Sequence, residues 1–146
     1  MGSILIVDDE PIVRSLLERM LEAAGHHVVA VGDAESAAEM LQWDAPDVVL
    51  CDVHLPVANG LWLTDRVREL APCTAIVLIS GDARVPPFET LRPGVVAFVL
   101  KPFVEARVLE ALEDGMRWSR DAASSRTALA KRPNRAYPAR YCLTAS

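Results

Sequence analysis

Five polar side chains in this sequence follow short apolar runs, and their chemistry suits divalent-cation binding and phosphoryl transfer. The runs span residues 4–7, 48–51, 75–79 and 95–100. The side chains at their ends are Asp8, Asp9, Asp52, Ser80 and Lys101. In an open parallel sheet, ligands bind beyond the carboxyl ends of the strands, so we expect these side chains to form one site.

Three carboxylates at one edge need a counter-charge. Two like charges about 5 Å apart, at an effective dielectric constant near 20, repel by roughly 3 kcal/mol. Either one carboxylate is protonated through a raised pKa, or a divalent cation lies among them. Oxygen-only ligands with open coordination positions favour Mg²⁺, which keeps bound waters and binds phosphoryl oxygens.

With Mg²⁺ present, each remaining group has a chemical role. A carboxylate such as Asp52 can attack phosphorus and form an aspartyl phosphate. Lys101 and Ser80 can then hold the phosphoryl oxygens. Each residue also has a structural alternative: Asp52 and Ser80 as caps, Asp8 and Asp9 as acids at a helix start, and Lys101 as a solvated charge.

The apolar runs are too short for ordinary helices, so we interpret them as strands, and those over residues 4–7 and 48–51 as strands buried on both faces. A second strand is predicted over residues 26–31. Helices are predicted between them: Pro11 opens the first and Gly25 ends it, Asp33 caps the second, and Asn59-Gly60 forms a turn before the third. Apolar spacing over residues 104–112 indicates a closing helix. This alternation predicts an α/β fold with a parallel sheet covered on both sides.

The fourth crossover is irregular. Pro86-Pro87 cannot lie within a helix interior, and Arg92-Pro93-Gly94 ends whatever begins near Phe88. We expect a short helix over residues 87–91, or a loop in part of it.

Charge divides the chain into an acidic body and a basic end. Residues 1–116 carry a net charge of −11 and residues 117–146 carry +6. The acidic body argues against direct DNA binding, which needs clustered Lys and Arg. Residues 119–146 are predicted to be a disordered basic tail, or else an arm that binds the acidic body, an acidic partner or a membrane surface. No apolar run approaches the length of a membrane span, so we expect a cytoplasmic protein.

The motifs at the strand ends resemble those of a response-regulator receiver domain of two-component signalling, over residues 3–118. The matching segments are ILIVDDE around Asp8 and Asp9, LCDVHLP around Asp52, Asn59-Gly60, LISG around Ser80, and FVLKPF from Phe98 through Lys101. The spacings of 44, 28 and 21 residues between Asp8, Asp52, Ser80 and Lys101 also fit the family.

The resemblance implies a flavodoxin-like (βα)5 fold with strand order 2-1-3-4-5. It implies that Asp52 accepts a phosphoryl group from a phosphohistidine of a sensor histidine kinase or histidine phosphotransfer protein. Asp8, Asp9, Asp52 and the backbone carbonyl of His54 would hold Mg²⁺, with Asp8 acting through water. Ser80 and Phe98 would be the switch residues, and they would change the surface of the fourth crossover, the fifth strand and the closing helix.

Two departures from the family pattern are informative. His54 stands two residues after the acceptor, where we expect its imidazole to affect the lifetime of the phosphoryl group. Pro86-Pro87 lies on the usual output face and weakens the case for a homodimer through it.

The leading hypothesis is a stand-alone receiver that binds a downstream target protein and has no enzyme activity beyond its own phosphorylation and dephosphorylation. Alternatives are a phosphate sink, a fragment of a longer regulator, and an aspartyl-phosphate phosphohydrolase. The hydrolase would need an Asp-x-Asp motif after the first strand, where this chain has Asp8-Asp9.

Overall fold

The centre of the fold is a five-stranded parallel sheet. The structure is a computed structural model that describes residues 1–82 and 92–130, with the backbone alone for residues 126–130. The strands pair in the order β2-β1-β3-β4-β5. This confirms the predicted flavodoxin-like order. The strands are β1 (Ser3–Val7), β2 (His27–Val31), β3 (Val48–Asp52), β4 (Ala75–Ser80) and β5 (Val95–Leu100).

Four described helices cover the sheet, and local sequence explains where they begin. Pro11 is the first residue of α1 (Pro11–Ala23), where its missing N–H costs no hydrogen bond. The Asp33 carboxylate caps α2 (Ala34–Leu41) by accepting the Ser36 N–H at 2.7 Å, as predicted. The others are α3 (Gly60–Leu70) and α4 (Glu105–Ala130).

The core has two layers, one on each face of the sheet. Val48 and Leu50 of β3 belong to the layer that α1 and α4 cover, whereas Val49 and Cys51 belong to the layer under α2 and α3. Successive strand residues point to opposite faces, so β3 is buried along its whole length. The prediction of strands buried on both faces is therefore confirmed for residues 4–7 of β1 and for β3.

Apolar residues recur at helical spacing along α1 and predict one apolar stripe, which includes Ile12, Leu16, Leu17 and Leu21, but only part of this stripe is buried. Leu17 and Leu21 are buried, but Ile12 is 84% exposed and Leu16 is 44% exposed. Successive helical residues are rotated by about 100°, which turns positions 12 and 16 away from the sheet. Both residues lie at the surface.

The closing helix α4 differs from its prediction in length. It continues to Ala130, so residues 119–130 are helical where a disordered segment was predicted. Ser119 is buried, and its hydroxyl donates to the Cys73 carbonyl at 2.7 Å, so packing against the body continues beyond Trp118. The domain boundary at residue 118 stays a prediction.

Two other predictions fall outside the described residues: the short helix over residues 87–91 with Pro86-Pro87, and the tail from residue 131. Among the helices that the structure describes, none combines the length and apolar character needed to cross a membrane.

Candidate functional site

The carboxyl ends of the strands bring the predicted residues together. Asp8 directly follows β1, Asp52 ends β3 and Lys101 directly follows β5. Carboxylate oxygens of Asp8, Asp9, Glu10 and Asp52 lie within 4.8 Å of one another. The convergence predicted from the parallel sheet is thus present for Asp8, Asp9, Asp52 and Lys101, whereas Ser80 ends β4 and makes no hydrogen bond to any of these described residues.

Lys101 provides the positive charge at the centre of this cluster. Its Nζ lies 2.7 Å from Asp52 Oδ2, 3.1 Å from Asp8 Oδ2 and 3.3 Å from Glu10 Oε1. Burial disfavours the charged ammonium, but the hydrogen bonds and charges of Asp52 and Asp8 outweigh that effect and raise the pKa of Lys101. The lysine therefore stays protonated at neutral pH.

Asp8 is the most deeply buried of the four acids. Burial raises the pKa of its carboxyl group, and the Glu10 N–H and Lys101 oppose that rise. Its backbone N–H donates to the Val31 carbonyl at 3.2 Å, which fixes the end of β1 beside β2.

Both carboxylate oxygens of Asp52 accept a hydrogen bond. Its Oδ1 accepts the His54 N–H at 2.9 Å, while Oδ2 is bound by Lys101. Asn59 and Gly60 form the start of α3 rather than a simple turn: Asn59 caps the helix, and the backbone at Gly60 passes very close to Asp52. A Cβ at residue 60 would lie 2.5 Å from the Asp52 carbonyl oxygen, so only glycine fits there.

An open pocket of about 390 Å³ lies above these groups. The half-exposed imidazole of His54 lines it, with Nε2 4.0 Å from Asp82 Oδ2. Ser80 is fully buried at the end of β4, and its hydroxyl accepts the Asp82 N–H at 3.0 Å. Phe98 is half-buried in β5 and packs against the core under α2 and α3.

Sequence reasoning did not assign a role to Glu10 or Asp82, which both line the pocket. Glu10 is the third acid in the row Asp8-Asp9-Glu10, and the fold makes it a partner of Lys101. Asp82 follows Ser80 by two residues, and its position after a strand end is the signal that would have found it.

The arrangement fits a hard divalent cation. The cluster has four carboxylates, three of which (Asp8, Glu10 and Asp52) contact the ammonium group of Lys101, so negative charge is in excess among its described residues. Asp9 and Glu10 are exposed and keep oxygen atoms free for a ligand. Oxygen donors with an open side toward solvent match the preferences of Mg²⁺.

The family model for the response regulator receiver domain matches residues 4–113. The chain belongs to the response regulator receiver family. Its members act in two-component phosphorelay signalling, and phosphorylation of an aspartate and magnesium binding are typical of them. Receiver domains interact with histidine kinases or phosphotransfer proteins.

The curated relative RpfC is much longer than this chain. The sensory/regulatory protein RpfC of Xanthomonas campestris is 33% identical over 115 residues, which are 75% of this chain but 16% of that protein. The chain therefore spans a small part of that relative.

Solved receiver structures share the fold. The CheY-like receiver domain protein of Methanospirillum hungatei has a TM-score of 0.77 and 23% identity, covering 83% of this chain and 98% of its own. The receiver domain of sensor histidine kinase PA1611 from Pseudomonas aeruginosa has a TM-score of 0.71 and 29% identity, covering 82% and 98%. The PA1611 structure holds a magnesium ion in its active-site cleft.

Proposed function

We propose that this chain accepts a phosphoryl group on Asp52 from a phosphohistidine and, in response, changes a surface that binds another protein. The observation that carries the proposal is the almost buried Asp52 carboxylate, bound to Lys101 at 2.7 Å at the base of an open acidic pocket. A carboxylate in this position can act as the nucleophile.

The only covalent step that the protein contributes to the transfer is nucleophilic attack by Asp52. An oxygen of Asp52 attacks phosphorus, the phosphorus–nitrogen bond to the donor histidine breaks, and its electron pair returns to the imidazole. Lys101 is already beside the acceptor oxygen, so its charge can stabilise the phosphoryl oxygens without a large movement.

Asp9, Asp52 and the His54 carbonyl would hold Mg²⁺, with Asp8 assisting through water. When bound, the ion would neutralise charge on the transferring phosphoryl group. The burial of Asp8 supports a role behind the ion, whereas the exposure of Asp9 supports direct ligation.

The proposed switch begins at Ser80. Its hydroxyl would have to leave the Asp82 N–H in order to reach a phosphoryl oxygen, and Phe98 would then turn inward behind it. A local charge change would in this way bias two arrangements of β5 and its neighbours.

Exposed apolar side chains in the segments after β1, β3 and β5 support a protein as the phosphoryl donor. Ile12 in α1, Val57 after β3 and Val104 before α4 are 84%, 100% and 68% exposed. Each lies in the segment that follows a strand carrying a site residue. Exposed apolar side chains of this kind are available to contact a protein partner.

The stand-alone receiver remains our leading proposal, with a phosphate sink and a piece of a longer regulator as alternatives. The match to RpfC, which covers only 16% of that protein, supports the alternative that this chain is a piece of a longer regulator. The cytoplasmic location is likewise a prediction.

Incubation with Mg²⁺ and acetyl phosphate tests the acceptor. We expect one phosphoryl group on the parent and none on Asp52→Asn. Intact mass detects the group, and a label that survives acid but is lost in base is expected of an aspartyl phosphate. Asp44→Asn, which changes an exposed acid in the loop after α2, serves as the matched control and should be labelled like the parent. Label that persists on Asp52→Asn would place the acceptor elsewhere.

The lifetime of the phosphoryl group tests the role of His54. Its imidazole stands at the pocket wall, where it can orient or exclude the attacking water. We expect the decay rate of the phosphorylated His54→Ala protein to differ from that of the parent by several-fold, measured after removal of the donor. Equal rates would contradict the hypothesis.

A further inference from the structure

Arg14 makes two contacts that enclose the acidic turn after β1. Its backbone N–H donates to the Glu10 carbonyl at 3.0 Å as part of α1. Its side-chain Nη1 donates to the Asp8 carbonyl at 2.8 Å. One residue therefore holds the carbonyl groups on both sides of Asp9.

The position of the Asp9 carboxylate depends on the backbone of the turn that carries it. Its side chain is exposed, and no described residue donates a hydrogen bond to its carboxylate. Asp8 differs, because the Glu10 N–H and Lys101 both bind its carboxylate. The Asp8 carbonyl that Arg14 binds belongs to the peptide joining Asp8 to Asp9, so this contact fixes the backbone from which the Asp9 side chain extends.

The guanidinium of Arg14 reaches the Asp8 carbonyl through space left by Gly32, in the loop between β2 and α2. A Cβ built at Gly32 would lie 3.0 Å from Nη1 of Arg14. An alanine there would push the guanidinium by a few tenths of an ångström, and with it the hydrogen bond to Asp8. Gly32→Ala thus disturbs the same contact without changing any charge.

We propose that Arg14 is a positioning residue for the cation: it preorganises the turn of residues 8–10 so that Asp9 points into the site before the ion arrives. The inference rests on the proposed function, which supplies the cation. Partners behind a metal ligand fix its orientation, and their loss commonly weakens metal binding by about 10- to 100-fold.

Removing Arg14 has two opposite effects on the affinity for Mg²⁺, one through charge and one through the position of Asp9. Removing a guanidinium near a cation site would, by charge alone, tighten cation binding. Loss of a preorganised Asp9 would weaken it. The direction of the change therefore separates the two explanations.

The test is a titration of Mg²⁺ followed by the amide signals of residues 8–10 in ¹H–¹⁵N NMR spectra at constant ionic strength. We expect Kd for Mg²⁺ to rise about tenfold in Arg14→Gln and several-fold in Gly32→Ala. Arg19→Gln removes the same charge from an exposed position on α1 and should stay within about twofold of the parent. Arg14→Lys, which keeps the charge and a donor, should recover part of the loss.

Coupling between the two positions provides a second readout. Because both substitutions disturb one contact, adding Gly32→Ala to Arg14→Gln should weaken Mg²⁺ binding little further. Thermal midpoints in EDTA show whether each variant is folded. If Arg14→Gln does not fold, Gly32→Ala still tests the contact with every charge in place.

Three outcomes overturn the proposal: unchanged affinity in both variants, tighter binding in Arg14→Gln, or additive losses in the double variant. A parent that accepts a phosphoryl group and binds Mg²⁺, with variants that bind it equally well, would reject this inference alone. A parent that does not bind Mg²⁺ would reject the proposed cation site and this inference together.

Discussion

The sheet has one edge where its strands begin and another where they end. Both edges bury polar side chains, but the hydrogen-bond and ion-pair partners of those side chains differ. Where the strands begin, the Thr74 hydroxyl donates to the Pro46 carbonyl at 2.6 Å. Ser119 in α4 makes the corresponding bond to a carbonyl on the same edge. Where the strands end, the buried groups are the carboxylates of Asp8 and Asp52, which share Lys101.

A charged side chain, Arg68, occurs at the first edge too, and its contacts there include neutral carbonyl groups and an aromatic ring. Arg68 donates to the carbonyls of Pro72 and Thr74, and its guanidinium lies 5.1 Å from the ring centre of Trp118. It also occupies the space beside Gly94, where φ is +87° and a Cβ would lie 2.4 Å from the guanidinium carbon. These contacts connect α3, α4 and the start of β5.

The two kinds of buried polar group have different consequences for stability and for reactivity. A buried hydroxyl bonded to a carbonyl contributes a modest net stabilisation and leaves nothing free to react. Like charges gathered in one pocket oppose folding, but they keep affinity for a cation and for a phosphoryl group. In this receiver the first edge stabilises the fold, and the second holds groups whose repulsion a ligand can relieve.

Loss of Lys101 should have the largest effect on stability. Lys101→Met leaves two buried carboxylates without their shared ammonium group, and we expect the free energy of unfolding in EDTA to fall by about 3 kcal/mol. Mg²⁺ should restore part of the loss, because it supplies charge to the same cluster. Urea unfolding with and without Mg²⁺ measures both; equal stability of variant and parent in EDTA would remove the contrast between the edges.

Thr74→Val tests the other edge. The substitution keeps the shape of the side chain but leaves the Pro46 carbonyl without its donor, so we expect a loss of about 1–2 kcal/mol. Mg²⁺ should not recover this loss, and labelling by acetyl phosphate should match the parent once the protein is folded. A change in the labelling rate at 25 °C would show that the two edges are coupled.

Asp8→Asn should produce the smallest change and the opposite sign. The folded-state pKa of Asp8 lies above its ordinary value of 3.8, so the charged form destabilises the fold at neutral pH. This penalty is relieved as pH falls through the folded-state pKa towards the unfolded value. We expect Asp8→Asn to be about 1 kcal/mol more stable than the parent at pH 7 in EDTA.

Unfolding curves at several pH values check the sign. The advantage of Asp8→Asn should shrink as the pH falls through the raised folded-state pKa of Asp8, because the folded parent then takes up a proton on this carboxyl group. Mg²⁺ should also reduce it at pH 7 by stabilising the parent. A difference that is constant from pH 7 to pH 4 would show that the charge of Asp8 is not its cause.

Much of the site could be predicted because it depends on local patterns. The short apolar runs before Asp8, Asp52 and Lys101 predict strands, and parallel strands bring their carboxyl ends to one edge whatever the connecting helices contain. That geometry alone predicts the convergence that the structure contains.

Other features depend on contacts between segments distant in sequence. The Asn59-Gly60 pair is typical of a turn, yet it starts a helix because the backbone of α3 must pass Asp52 without a Cβ between them. Ile12 fits the apolar stripe of α1 by spacing, but the sheet covers a narrower face. The helical residues after Trp118 include Ser119, whose partner is the carbonyl of Cys73 on another segment.

The sequence by itself determined the order of the elements and the chemistry of the acids, because strand length, helix caps and side-chain type are properties of neighbouring residues. The tertiary structure decided which groups meet: Lys101 with both Asp8 and Asp52, and Arg14 with the carbonyl of Asp8. The physical reason is that an ion pair or a side-chain hydrogen bond across segments requires a distance of about 3 Å. Spacing along the chain cannot specify such a distance until the sheet has fixed the register of its strands.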